Sequence, residues 1–262
     1  MGNIEKWKTL MDAFSGRKTL DVAAVYPVVP VDEMVHTLSE IKEETWGLYA
    51  FTREPLEGKF SLQQKFHYTK CANECGRTWA RKIVEQFGTR DPKVIAAKMG
   101  MKVKETVKPI GGGVVLFAQF VRPNEITIFT DCIDKTLFEK RRDVVPMFQR
   151  EVLIDVILAH ELFHAVEEEN QDIIYTHTEK VELWKKPFSN RSQIACLSEI
   201  AAMSFAAELN GLKVSPYMLD VLLVYSYDKN TAYGLFDEIC KLQKNVPVHS
   251  WTEFGKWQPK QK

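Results

Sequence analysis

Two histidines four positions apart lie near the middle of the chain, with a glutamate directly after the first. They are His160 and His164, in the run H-E-L-F-H that also holds Glu161. On an α-helix, residues four positions apart differ by about 40° in angle and one turn in height. Both imidazoles can therefore bind one metal ion from the same face. Zinc accepts neutral imidazole nitrogens, and a catalytic zinc site takes three protein ligands and a water molecule.

Glu161 follows the first of these histidines, where its carboxylate can reach the water rather than the metal. Zinc lowers the pKa of a bound water, and a nearby carboxylate can take the proton as the water attacks a carbonyl carbon. The sequence therefore predicts His160 and His164 as zinc ligands and Glu161 as the general base of a hydrolase.

The residues before the motif are mostly apolar, over Val152–Ala159, in a helix predicted from Met147 to Glu168. Two histidines on an ordinary exposed helix would have polar flanking residues. Because an unpaired buried polar group is costly, the apolar surroundings favour a metal ion as the partner of these side chains.

A third ligand is expected from a second helix, predicted over Ser192–Asn210 and ended by Gly211. Glu199 lies on this helix among small and apolar residues that would let it pack closely against the first helix. These neighbours are Ala202, Phe205 and Ala206. Glu208 lies about two and a half turns further along. Glu199 is therefore the predicted third ligand, and the alternative is an ordinary solvated glutamate.

Residues 70–212 resemble the ImmA/IrrE family of metallopeptidases, whose catalytic domain has a zincin-like fold. The resemblance rests on the helix and strands of residues 91–130, on Ala159–His164 and on Glu199–Ala206. The family's second motif is similar to E-x-x-A-N-x-F-A. Glu199 matches the first glutamate of that motif, which implies that it is the third zinc ligand.

The resemblance also implies an activity and a kind of substrate. Family members are implied to be site-specific endopeptidases, and several inactivate helix-turn-helix repressors. A protein or peptide substrate is therefore expected, with such a repressor as one candidate. The chain departs from the family pattern at Phe163, where glycine is usual, and at Met203, where asparagine is usual. Neither position is a metal ligand or the base.

Three polar residues between the two ligand helices are candidates for stabilising the oxyanion or contacting the substrate: Tyr175, His177 and Arg191. Electrostatic stabilisation of an oxyanion is a large contribution to catalysis. The alternative for each is an ordinary loop residue. The predicted strand Ile126–Thr130 is a candidate edge on which an extended peptide docks, and its alternative is a core strand.

The surrounding pattern predicts the α+β class, in the order helices, a small sheet, then more helices. Asp91 and Pro92 give a helix start, and Gly88 and Gly100 give helix ends. A hairpin is predicted around the turn at residues 122–125. The predicted elements are helices over 68–87, 91–100, 147–168, 192–210, from 215 and over 231–244, and strands over 101–107, 114–121 and 126–130.

The chain is expected to divide into two structural parts. Residues 1–69 form an N-terminal extension, and residues 70–262 form the zincin-like metallopeptidase domain with its C-terminal helices. The extension is expected to be partly helical, over Asn3–Phe14 and from Pro30 to about Glu44. The sequence does not assign a fold to the remainder of the extension.

His67, Cys71 and Cys75 recur at four-residue steps and share one helix face. A second metal site or a redox sensor could use such a set. The same stripe continues as Trp79 and Ile83, however, and cysteine is a frequent core residue. The pattern therefore favours packing in the core.

Composition argues against several other classes. The 262 residues carry 35 Lys and Arg against 35 Asp and Glu, a formal net charge of zero, which disfavours nucleic-acid binding. No apolar run approaches the ~18 residues of a membrane span. The N-terminus lacks the apolar segment of a secretory signal. Since the 5 cysteines are also an odd number, a cytoplasmic protein is expected.

The favoured function is a zinc-dependent endopeptidase that hydrolyses a peptide bond in a protein substrate. The alternative is a zinc-containing regulatory or binding protein with little peptidase turnover, in which the N-terminal segment governs a partner or covers the site. A purely structural helix pair is a third interpretation. Manganese or iron could replace zinc in the cell, since metal availability and affinity both matter.

Overall fold

A computed structural model of the chain describes residues 24–107, 117–138, 148–184 and 190–247. Helices dominate and two small sheets accompany them, which is consistent with the predicted α+β class. The helices are α1 (Val31–Ser39), α2 (Glu43–Phe51), α3 (Leu62–Phe87), α4 (Pro92–Lys98), α5 (Thr130–Phe138), α6 (Arg150–Glu169), α7 (Tyr175–Thr178), α8 (Cys196–Asn210), α9 (Met218–Tyr225) and α10 (Lys229–Lys244). The strands are β1 (Lys102–Thr106), β2 (Ala118–Val121), β3 (Glu125–Phe129), β4 (Lys180–Trp184) and β5 (Asn190–Gln193).

The three-stranded sheet has the order β1-β3-β2, with β1 parallel and β2 antiparallel to β3. The predicted hairpin is therefore confirmed, as β2 and β3. The prediction that the strand Ile126–Thr130 is an edge for peptide docking is wrong, because this strand is β3 and it is paired on both sides. Its residues Ile126 and Ile128 are fully buried, so the alternative of a core strand is correct. Among the described strands, β1 and β2 are the outer strands of this sheet.

Local sequence signals set several helix ends. Ser61 caps α3 in a reciprocal arrangement with Gln64, and Gly88 ends it at φ 69°, so this helix begins earlier than predicted. The side chain of Asp91 accepts hydrogen bonds at the start of α4, and Gly100 follows the helix at φ 71°. Both glycines adopt the left-handed conformation that glycine tolerates best.

Two predicted helices have different bounds in the structure. The single helix expected from Pro30 to about Glu44 is wrong, because α1 ends at Ser39 and α2 begins at Glu43. The backbone turns there through hydrogen bonds from Glu40 and Ile41 to the carbonyls three residues earlier. The helix expected from Ser192 begins at Cys196, because residues 190–193 pair with β4 in an antiparallel hairpin. Neither strand of this hairpin is predicted by the sequence pattern.

The described residues of the N-terminal segment share one hydrophobic core with the later helices. Met34 and Phe51 are fully buried in it. The boundary expected between residues 69 and 70 falls inside α3, and the helix expected over Asn3–Phe14 lies outside the described residues. None of the helices in the part of the chain that the structure describes is long and apolar enough to cross a membrane.

Glu54 connects the N-terminal segment directly to the helix that carries Glu199. Its side chain is almost fully buried, and Oε2 accepts a hydrogen bond of 3.0 Å from the backbone N–H of Cys196. This N–H lies at the start of α8, where helical donors need an acceptor outside the helix. Glu54 therefore helps to fix the position of α8.

Helices α3 and α8 pack closely at Gly76. A Cβ atom at this position would lie 2.1 Å from the backbone oxygen of Ala201 and 2.9 Å from the backbone nitrogen of Phe205. Backbone atoms cannot move aside as a flexible side chain can. The absence of a side chain at Gly76 therefore permits the approach of α8, the helix that carries the third predicted ligand.

Gly76→Ala is expected to lower the free energy of unfolding by about 3 kcal/mol, in the upper part of the range for overpacked cores. Alanine in an exposed helix would instead be slightly stabilising relative to glycine. Urea denaturation of the metal-free protein measures the change. Gly58→Ala is the control, since a Cβ there meets nothing within 4 Å. Equal stability of Gly76→Ala and the wild type would contradict the close approach.

Candidate metal centre

Helix α6 is held in place by its apolar residues, which bury the helix around the H-E-L-F-H run. Phe163 is fully buried and packs against Phe205 of α8, with 5.6 Å between ring centroids. Ala202 and Ala206 are also fully buried, as expected for a helix that approaches another closely. Phe163 therefore forms part of the contact between the two helices that carry the predicted ligands.

The three predicted ligands come together between α6 and α8. The Nε2 atoms of His160 and His164 are 3.2 Å apart. Glu199 Oε2 lies 3.4 Å from His160 Nε2, and Glu199 Oε1 lies 3.7 Å from His164 Nε2. The histidine side chains are 16% and 20% exposed, whereas that of Glu199 is 50% exposed. The cluster is therefore reachable from solvent on the glutamate side.

These separations match the dimensions of a tetrahedral zinc site. Ligand atoms at about 2.0–2.1 Å from zinc in a tetrahedron are about 3.3–3.4 Å from one another. The separations of 3.2, 3.4 and 3.7 Å lie close to that value. Two imidazole nitrogens and one carboxylate are also a donor set that zinc uses in catalytic sites. The residues present therefore fit a bound zinc ion.

Glu161 follows His160 on α6 and is 9% exposed. Its negative charge is one of those that raise the pKa of His164, so it belongs to the same electrostatic cluster. It is not a member of the group of three possible ligands. The predicted base is therefore close to the ligands without being one of them.

Glu167 is a member of this cluster that the sequence analysis did not identify. It is buried, and its Oε2 lies 3.4 Å from His164 Nδ1 and 2.6 Å from Ser198 Oγ. Thr176 donates a hydrogen bond to its Oε1. The one available signal was its spacing, since a residue three positions after His164 shares the same side of the helix.

Burial and nearby charges shift the pKa values of these groups in opposite directions. Burial alone would lower the pKa of His164, but the hydrogen bond to Glu167 and the charges of Glu199 and Glu161 raise it to about 9. Burial would raise the pKa of Glu199, but its hydrogen bond to His160 and the nearby histidine charges lower it to about 2. Hydrogen bonds likewise lower the pKa of Glu167 against the effect of burial. Without metal, the cluster therefore favours protonated His164 and ionised glutamates.

The metal-free protein is expected to lose stability as pH rises from 6.5 to 9. The pKa of His164 in the folded protein, about 9, is above its ordinary value of 6.5. The stabilisation is therefore complete below pH 6.5 and is lost as pH rises through 9. We expect a decrease of about 2 kcal/mol in the free energy of unfolding. Denaturation at several pH values in the presence of a chelator measures it.

His164→Gln is the matched control for this pH dependence, because glutamine does not titrate. Its stability should change less than that of the wild type over the same pH range. Parallel profiles for the two proteins would show that His164 does not carry the effect.

The three residues proposed to contact the oxyanion or substrate lie in different surroundings. His177 Nε2 is 3.8 Å from Glu167 Oε1, so this residue is connected to the cluster through Glu167. Tyr175 lies beside Cys71 and Glu179, and burial raises the pKa of its hydroxyl. Arg191 is exposed on β5, where its charge acts on Glu179. Their roles toward a substrate stay predictions.

His67 and Cys71 are neighbours on α3, with 3.7 Å between Nε2 and Sγ. Cys75 is buried in the core, and burial raises the pKa of its thiol to about 11. Burial also raises the pKa of Cys71. Because redox-sensing thiols depend on a lowered pKa, these environments disfavour a redox sensor, and the burial of Cys75 agrees with the core interpretation.

A separate cavity of about 300 Å³ lies between α2, α3 and the far side of α8. Trp46, Arg77 and Tyr217 contribute to its walls. The rings of Trp46 and Tyr217 stack there at 5.7 Å. None of the three possible ligands, nor Glu161, lines this cavity, so it is distinct from the candidate metal centre.

Comparisons of the chain with protein-family models, with curated proteins and with solved structures give no match. The family resemblance of residues 70–212 therefore stays a prediction. The chemistry of the donor groups on α6 and α8 is the basis for a functional proposal.

Proposed function

We propose that this chain is a zinc-dependent endopeptidase with a zincin-like catalytic domain. His160, His164 and Glu199 hold the zinc ion, and Glu161 is the general base. The observation that carries the proposal is the convergence of the three donor atoms at 3.2–3.7 Å from one another, next to a carboxylate that is not needed as a ligand.

The number and exposure of the ligands favour a catalytic site over a structural one. Structural zinc sites almost always use four protein ligands, whereas catalytic sites use three and leave a position for water or substrate. Only three possible ligands converge here among the described residues. The 50% exposure of the Glu199 side chain gives a substrate access to that position.

Zinc in such a site supplies Lewis acidity, which lowers the pKa of a bound water and polarises the carbonyl of the bond to be cleaved. Glu161 takes a proton from the water as the water oxygen attacks the carbonyl carbon. It then gives this proton to the amide nitrogen as the C–N bond breaks. The second proton of the attacking water passes to the released amine, so the products are a carboxylate and an ammonium group, and Glu161 returns to its ionised form.

The substrate that we propose is a protein, with a helix-turn-helix repressor as one candidate on the basis of the family resemblance. A cytoplasmic location accords with this choice. Cys71, Cys75, Cys196 and Cys240 are free thiols, the form that a reducing compartment maintains.

Peptide-library profiling tests the proposed activity. Zinc-loaded protein is incubated with a protein-derived peptide library, and new peptide termini are identified by mass spectrometry. New termini that disappear with a chelator and with Glu161→Gln would support the endopeptidase. A zinc-bound wild-type protein that yields no new termini would contradict it and would favour a zinc-containing binding protein.

A further inference from the structure

We propose that Glu167 is the positioning residue of this site, which orients His164 for metal binding and ties the two ligand helices together. The inference rests on the proposed function, because it assumes that His164 binds a metal ion. Glu167 is not itself a ligand, since its carboxylate contacts Nδ1 of His164, on the side of the ring that faces away from His160 and Glu199.

The contacts of His164 determine which ring nitrogen carries the proton. Nδ1 lies 3.4 Å from Glu167 Oε2 and 3.3 Å from Ser198 Oγ. The hydroxyl of Ser198 donates to the same carboxylate oxygen at 2.6 Å, so its own oxygen is left as an acceptor. Both neighbours of Nδ1 therefore accept a hydrogen bond. In a neutral imidazole, a proton on Nδ1 leaves the lone pair on Nε2, which faces His160 and Glu199.

Glu167 also joins three separate parts of the chain. It belongs to α6 with His164, and Ser198 is the residue directly before Glu199 on α8. The other carboxylate oxygen, Oε1, accepts from Thr176 and lies 3.8 Å from His177 Nε2, both on α7. One buried carboxylate thus fixes the second ligand, the start of the third ligand's helix and the segment between them.

This arrangement predicts that Glu167 controls metal affinity without contacting the metal. Loss of a carboxylate behind a metal-binding histidine typically lowers metal affinity 10- to 100-fold. Glutamine at this position retains an oxygen that accepts from Nδ1 but loses the negative charge. We therefore expect zinc affinity to decrease in the order wild type, Glu167→Gln, Glu167→Ala.

Competition with a chromophoric chelator measures zinc affinity, and the visible absorption of the Co²⁺-substituted protein reports on ligand geometry. Glu167→Ala is expected to bind zinc about 10- to 100-fold more weakly and to shift the Co²⁺ bands. Glu169→Gln is the control, because it removes the same charge from an exposed position on the same helix. It should match the wild type in both measurements.

Circular dichroism identifies any variant that fails to fold, and the isosteric Glu167→Gln keeps the comparison available in that case. Wild-type affinity and unchanged Co²⁺ bands in Glu167→Gln and in any folded Glu167→Ala would overturn this inference while leaving the proposed metal site intact. Failure of the wild-type protein itself to bind zinc would overturn the proposed function instead.

Discussion

Replacement of Glu161 by glutamine is expected to slow peptide hydrolysis by about 10²- to 10⁴-fold, the usual contribution of a general base. Zinc content should stay at the wild-type level. Glutamine has the shape of glutamate but cannot take a proton from water at neutral pH. Glu161 lies outside the group of three possible ligands, so the substitution leaves the donor set complete.

The measurement combines the turnover rate on a cleaved peptide with the zinc content of the same preparation. Glu169→Gln is the matched control, since it makes the same chemical change on α6 at an exposed position. A variant at Glu161 that retains more than about a tenth of the wild-type rate would exclude Glu161 as the base. Loss of zinc from Glu161→Gln would instead assign it to the metal ligands.

Replacement of Glu199 by alanine is expected to reduce zinc affinity by more than about 100-fold, beyond the effect of a residue that only supports a ligand. Glu199 supplies a carboxylate that lies near both imidazoles, 3.4 Å from His160 Nε2 and 3.7 Å from His164 Nε2. Without it, two neutral nitrogens would hold a divalent cation and no anionic ligand would balance its charge. Hydrolysis should be lost together with the zinc.

Glu208→Ala is the control for this substitution, because Glu208 lies on the same helix and forms an ion pair with Arg81 instead. Zinc affinity is again measured by chelator competition, and circular dichroism checks that both variants fold. Similar affinities for Glu199→Ala and Glu208→Ala would remove Glu199 from the site.

The convergence of His160, His164 and Glu199 could be predicted from the sequence because the signals for it are local. The spacing of His160 and His164 fixes their relation on one helix, and the small residues around Glu199 favour close packing of a second. The contact of Glu167 with His164 could not be predicted in this way. Glu167 stands in a run of three glutamates, a pattern that is more typical of a solvated surface than of a buried carboxylate.

The order of the strands in the sheet also could not be predicted from local sequence patterns. The alternation in β3 predicts a strand, but it does not show that β1 pairs on its other side after a connection of many residues. The break between α1 and α2 depends on a turn of three residues, which contains no glycine or proline. Ile41 of this turn is buried in the shared core, a tertiary contact that local sequence patterns do not show.

Anomalous diffraction at the zinc absorption edge, from crystals of the zinc-loaded protein, shows whether His160, His164 and Glu199 bind zinc together. We expect one peak between α6 and α8, about 2.0–2.1 Å from the Nε2 atoms of His160 and His164 and at a similar distance from a carboxylate oxygen of Glu199. A protein with no zinc at this position, or with zinc bound only elsewhere, would contradict it.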